Sequence, residues 1–113
     1  KAMENLGKYD KFQGDRLGRF LGKMADTPEG NGSMLDNTIV YYGTSNSKTH
    51  VNRNYPLLVA GGSNLGIKHC GYHNFLETGK QPLCNLYMSF LQSLDVPAQS
   101  FSDSTGVLKE ILA

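Results

Sequence analysis

The chain contains no apolar run longer than about five residues, against the roughly 20 that a helix needs to cross a bilayer, so no part of it reads as a transmembrane segment. Nor does any part read as a signal segment. No block of like charge is present either. Eleven Lys and Arg stand against ten Asp and Glu, the net charge is +1, and the basic residues are scattered, which argues against nucleic acid or an anionic membrane as the main partner. Cysteine is scarce. Cys70 and Cys84 lie in neither a Cys-x-x-Cys nor a zinc-type spacing. Internal repeats and low-complexity tracts are missing too.

What is present suffices for one small domain: 113 residues, 39% of them hydrophobic, can supply a core. The first residue is Lys1 rather than Met, which points to a processed chain or a piece of a longer one. From Met3 to Met24, apolar residues at Tyr9, Phe12, Leu17, Phe20, Leu21 and Met24 follow a helical spacing and predict one amphipathic helix, with a start near Tyr9 as an alternative. Gly14, Gly18 and Gly22 lower its propensity and lay a narrow strip along one face. Asp26-Thr27-Pro28 and Gly30-Asn31-Gly32 then predict a turn-rich loop.

Thr38 to Tyr42 is a β-branched and aromatic run without alternation, which predicts a strand covered on both faces, as in a mostly parallel α/β sheet. Pro56 to Gly62 predicts a second buried strand. Ser63 to Lys80 has no clear periodicity and reads as loop with room for short strands. A helix starts at Pro82, with Leu83, Leu86, Tyr87, Phe90, Leu91 and Leu94 as its core stripe, and stops at Pro97. Phe101 to Gly106 reads as a turn, and Val107 to Leu112 as a last helical turn or an edge strand. Such strands need neighbours on both sides, and this chain offers few others. The whole of 1–113 therefore reads as a single segment of a larger α/β fold.

In α/β sheets, ligands sit beyond the carboxyl ends of strands, which directs attention to Thr44, Ser45, Asn46 and Ser47. His50 and Asn52 follow in the same polar loop. His50 is the best-placed candidate for a proton shuttle or a lone metal ligand; the competing reading is a surface histidine that braces the loop. His69 and His73 flank Cys70 and are weaker metal candidates, because the paired spacing of a zinc site is lacking. Cys70 and Cys84 would close a disulfide worth roughly 3 kcal/mol if the protein is exported; otherwise they are buried thiols, and Cys84 lies on the core stripe. Gly61-Gly62-Ser63-Asn64-Leu65-Gly66 lacks the ending of a phosphate-binding loop and reads as a glycine turn. Asp103-Ser104-Thr105-Gly106 reads as a turn or cap before a hydroxyl-bearing site. The aromatic residues, Tyr41, Tyr42, Tyr72, Phe75, Tyr87 and Phe90 among them, read as core before binding platform.

Leu35-Asp36-Asn37-Thr38-Ile39-Val40, the loop with His50, Tyr55-Pro56-Leu57-Leu58-Val59-Ala60-Gly61-Gly62, Gly71-Tyr72-His73, Pro82-Leu83-Cys84-Asn85-Leu86-Tyr87 and Phe101 to Gly106 resemble an exported bacterial family, the domain-of-unknown-function family numbered fifteen fifty-two. The likeness runs from about Phe12 to Leu112 and corresponds to the carboxyl-terminal part of that family's domain. The family in turn looks like the alkaline phosphatase and sulfatase superfamily. The resemblance implies a partial alkaline-phosphatase-like sandwich, with short buried strands flanked by amphipathic helices, completed by a missing segment or a partner chain. It also implies a periplasmic or extracellular location, and a divalent metal in the complete domain.

Two departures bear on activity. The Asp-His pair that binds metal in those enzymes falls near Ser45 and Asn46, and a second histidine of the nearer family falls at Asn52. Neither hydroxyls nor amides replace carboxylate and imidazole at a divalent cation. The expectation is therefore a non-catalytic, structural segment or subunit, with no cofactor of its own assigned. Its partners would be the remainder of its domain or other subunits. The alternative is the carboxyl-terminal part of a metal-dependent phosphate- or sulfate-ester hydrolase, with nucleophile and most ligands elsewhere.

Overall fold

The computed structural model describes residues 2–69, 71–75 and 81–113. Helix α1 spans Ala2–Ala25, a full turn or more earlier than a start near Tyr9. Between these bounds no proline or β-branched residue interrupts the helix, and two i, i+4 pairs brace its exposed side: Lys8 to Glu4 at 3.1 Å and Lys11 to Asp15 at 2.8 Å. The Thr27 hydroxyl donates to the Lys23 carbonyl at 2.6 Å, and Pro28 ends the helix. Only Met24 of α1 is buried; Leu6, Tyr9, Phe12 and Phe20 stay half exposed or more along the shaft.

The turn-rich loop contains a tiny antiparallel hairpin, β1 (Pro28–Glu29) and β2 (Gly32–Ser33). Strand β3 (Ile39–Gly43) pairs with β4 (Leu57–Gly61), with Ile39 opposite Gly61 and Gly43 opposite Leu57. This pairing is antiparallel, which corrects the expected parallel arrangement. The strands are adjacent in sequence, and the thirteen residues between them form a loop with no crossover helix, so the chain simply turns back. Burial on both faces is also overturned. One face carries Tyr41 toward the second helix, whereas the other presents Val40, Tyr42, Leu58 and Ala60, with Tyr42 and Leu58 each more than 40% exposed. Among the described residues, this face is left open at Tyr42 and Leu58, while Val40 and Ala60 are half-buried.

A short 3-10 turn at Ser63–Leu65 follows β4. Gly62 immediately before it has φ +73, and a β-carbon there would press on the Ile39 and Ile67 side chains at 2.9 Å. Helix α2 (Leu83–Ser93) begins after Pro82, as its position in the sequence predicts. Its buried side differs from the predicted stripe: Asn85, Leu86, Met88 and Ser89 are buried, while Leu94 is half exposed. The reason lies in the tail, which runs back across α2 and takes the two polar side chains as hydrogen-bond partners. Asn85 Oδ1 accepts from the Thr105 backbone N–H at 2.8 Å, and Ser89 Oγ accepts from that of Leu108 at 2.8 Å while donating to the Asn85 carbonyl at 3.0 Å.

The tail then makes a 3-10 turn at Lys109–Ile111 and a bridge from Leu112 to Ile67, so both alternatives read for it, a helical turn and an edge pairing, are present in succession. The small core joins Met24, Ile67, Leu86, Met88 and Leu108. The molecule is thus mixed α/β, with two helices and two small antiparallel two-stranded sheets among the described residues. No helix among them is long and apolar enough to cross a membrane.

Candidate functional site

The carboxyl end of β3 delivers Gly43, Thr44 and Ser45 to the mouth of a cleft of about 400 Å³, lined also by Tyr41, Tyr55, Leu83 and Tyr87. Strand alternation places Tyr41 on the α2 side of the ribbon, and α2 brings Tyr87 and Phe90 against it. The Tyr41 and Tyr87 rings meet edge to face at 5.9 Å, Tyr41 and Phe90 at 6.2 Å, and Tyr87 continues the contact to Phe101 at 6.0 Å. Burial, then the hydrogen bond that Tyr41 donates to Tyr87 and the charge repulsion of the Tyr87 and Tyr55 phenols, push the Tyr41 phenol up from 10.0 to about 12. Tyr41 therefore stays a neutral hydroxyl at ordinary pH, and so a donor as well as an acceptor.

The loop beyond is held by its own hydroxyls. Thr44 Oγ1 accepts from the Asn46 N–H at 3.3 Å and donates to the Asn46 carbonyl at 3.2 Å, and the Asn46 amide donates to Ser45 Oγ at 3.4 Å. Ser47 turns away to Val51, its N–H donating to that carbonyl at 2.8 Å. Lys48 and Val51 bridge, which places Thr49 and His50 at the tip of a tight turn. His50 takes φ +55 there, the left-handed conformation that the third position of a type II turn demands. It is exposed, as is Asn52, and among the described residues no hydrogen bond joins either of them to Ser45, Asn46 or Ser47.

The other histidines lie elsewhere. His69 Nε2 is 2.8 Å from the Gly61 carbonyl, and Gly61 pairs with Ile39, so His69 stands at the opposite end of the β3–β4 ribbon from Thr44. His73 stacks on Phe75 with ring centroids 6.0 Å apart. Among the described residues, no three His, Cys, Asp or Glu side chains gather as a metal-holding group. A lone exposed imidazole beside hydroxyls and amides does not fit a divalent cation, so no step through a metal is derived from this loop. Cys84 is half-buried on α2; Cys70, the other half of the suggested disulfide, lies outside the described residues.

A second polar cluster was invisible in the sequence. Asp36 does not open a strand but closes a turn: its Oδ2 accepts from the Ser33 N–H at 2.8 Å and the Ser33 hydroxyl at 2.7 Å, and its Oδ1 accepts from the Ser63 hydroxyl at 2.6 Å. The Ser63 and Ser33 bonds hold the carboxyl down at about 2, well below its ordinary 3.8. Asn64 Nδ2 donates to Asn31 Oδ1 at 2.9 Å and to Asn37 Oδ1 at 3.0 Å. These partners satisfy one another, so the cluster is a clasp between the β1–β2 hairpin and the turn after β4.

The three tyrosines of the cleft are the residues that reading the sequence missed, Tyr41 and Tyr87 having been assigned to the core and Tyr55 to the polar loop. Tyr41 was legible in part, since it stands two residues before the strand end. Tyr87, more than 40 residues further along, and Tyr55 reach the same place only through the fold. Compared with known proteins, the chain matches no protein-family model, no curated protein and no solved structure.

Proposed function

We propose that this chain is a non-catalytic, structural α/β segment of an exported protein with an alkaline-phosphatase-like fold, and that it works by packing into the remainder of its domain or against another subunit. The supporting observation is its surface. The chain exposes 8371 Å², whereas a compact monomer of 12.4 kDa exposes about 6,100 Å². Its radius of gyration is 15.9 Å, against about 13 Å for a compact domain of this length. The difference in area is on the order of 2,000 Å², more than the roughly 800 Å² that each partner gives to a standard-size interface.

That surface is also of the right kind. It includes the uncovered ribbon face with Tyr42 and Leu58, and the apolar side of α1 with Leu6, Tyr9 and Phe20. An amphipathic helix gains most of its stability from packing that side against something. The exported location and the likeness of fold rest on the sequence resemblance alone.

Two measurements test the reading. In the intact parent protein, Tyr42→Lys with Leu58→Lys breaks the contact, seen as a lowered unfolding midpoint when the cover is the same chain and as a loss of co-sedimentation when it is another subunit. Elemental analysis with phosphatase and sulfatase assays gives no stoichiometric metal and no turnover that depends on His50. Stoichiometric metal, with turnover lost in His50→Ala, replaces this reading with the ester hydrolase.

A further inference from the structure

The cleft beyond β3 is lined by Tyr41, Tyr55, Tyr87, Thr44, Ser45 and Leu83, a set with five hydroxyls and no formal charge. We propose that it binds a neutral sugar, with the apolar face of a pyranose ring against the phenols and its hydroxyls bonded to Thr44, Ser45 and the tyrosine oxygens. The volume of about 400 Å³ falls within the range of roughly 300–1,000 Å³ that suits small-molecule sites.

Three features select this chemistry. A sugar hydroxyl both donates and accepts, and so do the serine and tyrosine hydroxyls that meet it, while the Thr44 hydroxyl, whose hydrogen goes to the Asn46 carbonyl, offers its remaining lone pair. The Ser45 oxygen accepts from Asn46 at 3.4 Å, and among the described residues no acceptor takes its hydrogen. The Tyr41 and Tyr87 rings touch edge to face at 5.9 Å, so they make a continuous wall with no gap between two facing rings. A cation can also sit over a single tyrosine face, so tetramethylammonium is one discriminating control. An anion would need a cationic side chain, and the lining has none, although the amino terminus of α2 at Leu83 makes phosphate the control that discriminates.

The site is independent of the packing proposed above, because it faces α2 and not the uncovered side of the ribbon. The test is saturation-transfer NMR on the full chain, with maltose, cellobiose and diacetylchitobiose as probes and amide-shift mapping alongside. At least one disaccharide receives transfer at its ring C–H groups, with a dissociation constant on the order of 1 mM, and it moves the Thr44, Ser45 and Tyr55 signals. Tyr55→Ala and Ser45→Ala each weaken binding by roughly tenfold or more while the circular dichroism spectrum is unchanged. Tyr87 is left intact in this test, since it also supports the contact of α2 with β3. Absence of transfer from all three disaccharides overturns the proposal. So does binding undiminished in both variants, or tetramethylammonium or inorganic phosphate shifting the same signals where the sugars do not.

Discussion

The hydroxyl of Ser63 donates a 2.6 Å hydrogen bond to the carboxylate of Asp36, 27 residues earlier in the chain, and so ties the turn after β4 to the turn before β3. The contact lies at the open end of the β3–β4 hairpin, away from the loop that connects the strands. The Leu35 carbonyl accepts from the Gly62 N–H at 2.9 Å, and the Asp36 carbonyl from that of Asn64 at 3.0 Å, directly beside it.

The acid limb of stability should report this clasp. Asp36 has its folded pKa lowered from 3.8 to about 2, so its contribution is complete above 3.8 and is lost as pH falls through about 2. In urea unfolding series between pH 5 and pH 2, Asp36→Asn is less stable than the parent at the upper end, and the gap closes toward the lower end. A gap independent of pH would show that the carboxylate's charge is not what Ser33 and Ser63 hold.

At the other pH extreme, Tyr41 is the reporter. Its folded pKa of about 12 exceeds the ordinary 10.0, so the folded chain keeps the proton where the unfolded chain releases it, and stability falls as pH rises from 10 to 12. Ultraviolet titration of the phenols shows one late-ionising tyrosine. In Tyr87→Phe it moves back toward 10, because a hydrogen bond and a neighbouring phenol are removed while the ring contact is kept.

The tail should depend on two buried polar side chains of α2. Ser89→Ala removes the acceptor of the buried Leu108 N–H and costs about 1–3 kcal/mol in chemical denaturation, the penalty for an unpaired buried donor. Asn85→Ala removes the bonds to Gln81 and Thr105 and costs a similar amount. Both variants expose the Lys68 amide to hydrogen exchange, since its N–H donates to the Ile111 carbonyl at 2.8 Å only while the tail is held. The double variant costs less than the two singles added together, because Ser89 also donates to the Asn85 backbone and both serve the same tail segment.

Glycines separate into two groups with opposite signs. A β-carbon on Gly61 would run into the Thr38 and Leu35 carbonyl oxygens at φ +74, so Gly61→Ala destabilises by more than about 2 kcal/mol. Gly14 and Gly18 in α1 have nothing within 4 Å of a built β-carbon, and each alanine there adds about 0.5–1 kcal/mol by helix propensity. Thermal melts followed at 222 nm resolve both directions.

Local patterns made several elements legible. A helical spacing unbroken by proline foretold α1, Pro82 with its apolar ladder foretold α2, and the two apolar runs after Thr38 and Pro56 foretold β3 and β4. Their failure over burial has one cause. A run of consecutive apolar residues states that a strand is suited to cover on both faces, but it does not say that the same chain supplies the cover. Tyr42 and Leu58 are the residues on which that difference shows. The hairpin at Pro28 to Ser33 went unread because two-residue strands have no periodicity to detect.

Where the chain turns, and which stretches coil or extend, were determined by sequence alone, because proline, glycine and apolar spacing act over a few residues. Tertiary structure alone decided that β3 and β4 run antiparallel, that Asn85 and Ser89 turn inward to the tail, and that His50 and His69 stand at opposite ends of the ribbon. It also decided that Tyr55 and Tyr87 join Tyr41 at the strand end named by its polar loop. These outcomes depend on contacts between residues 20 or more positions apart, and no local pattern encodes which distant hydrogen-bond donor or ring will arrive.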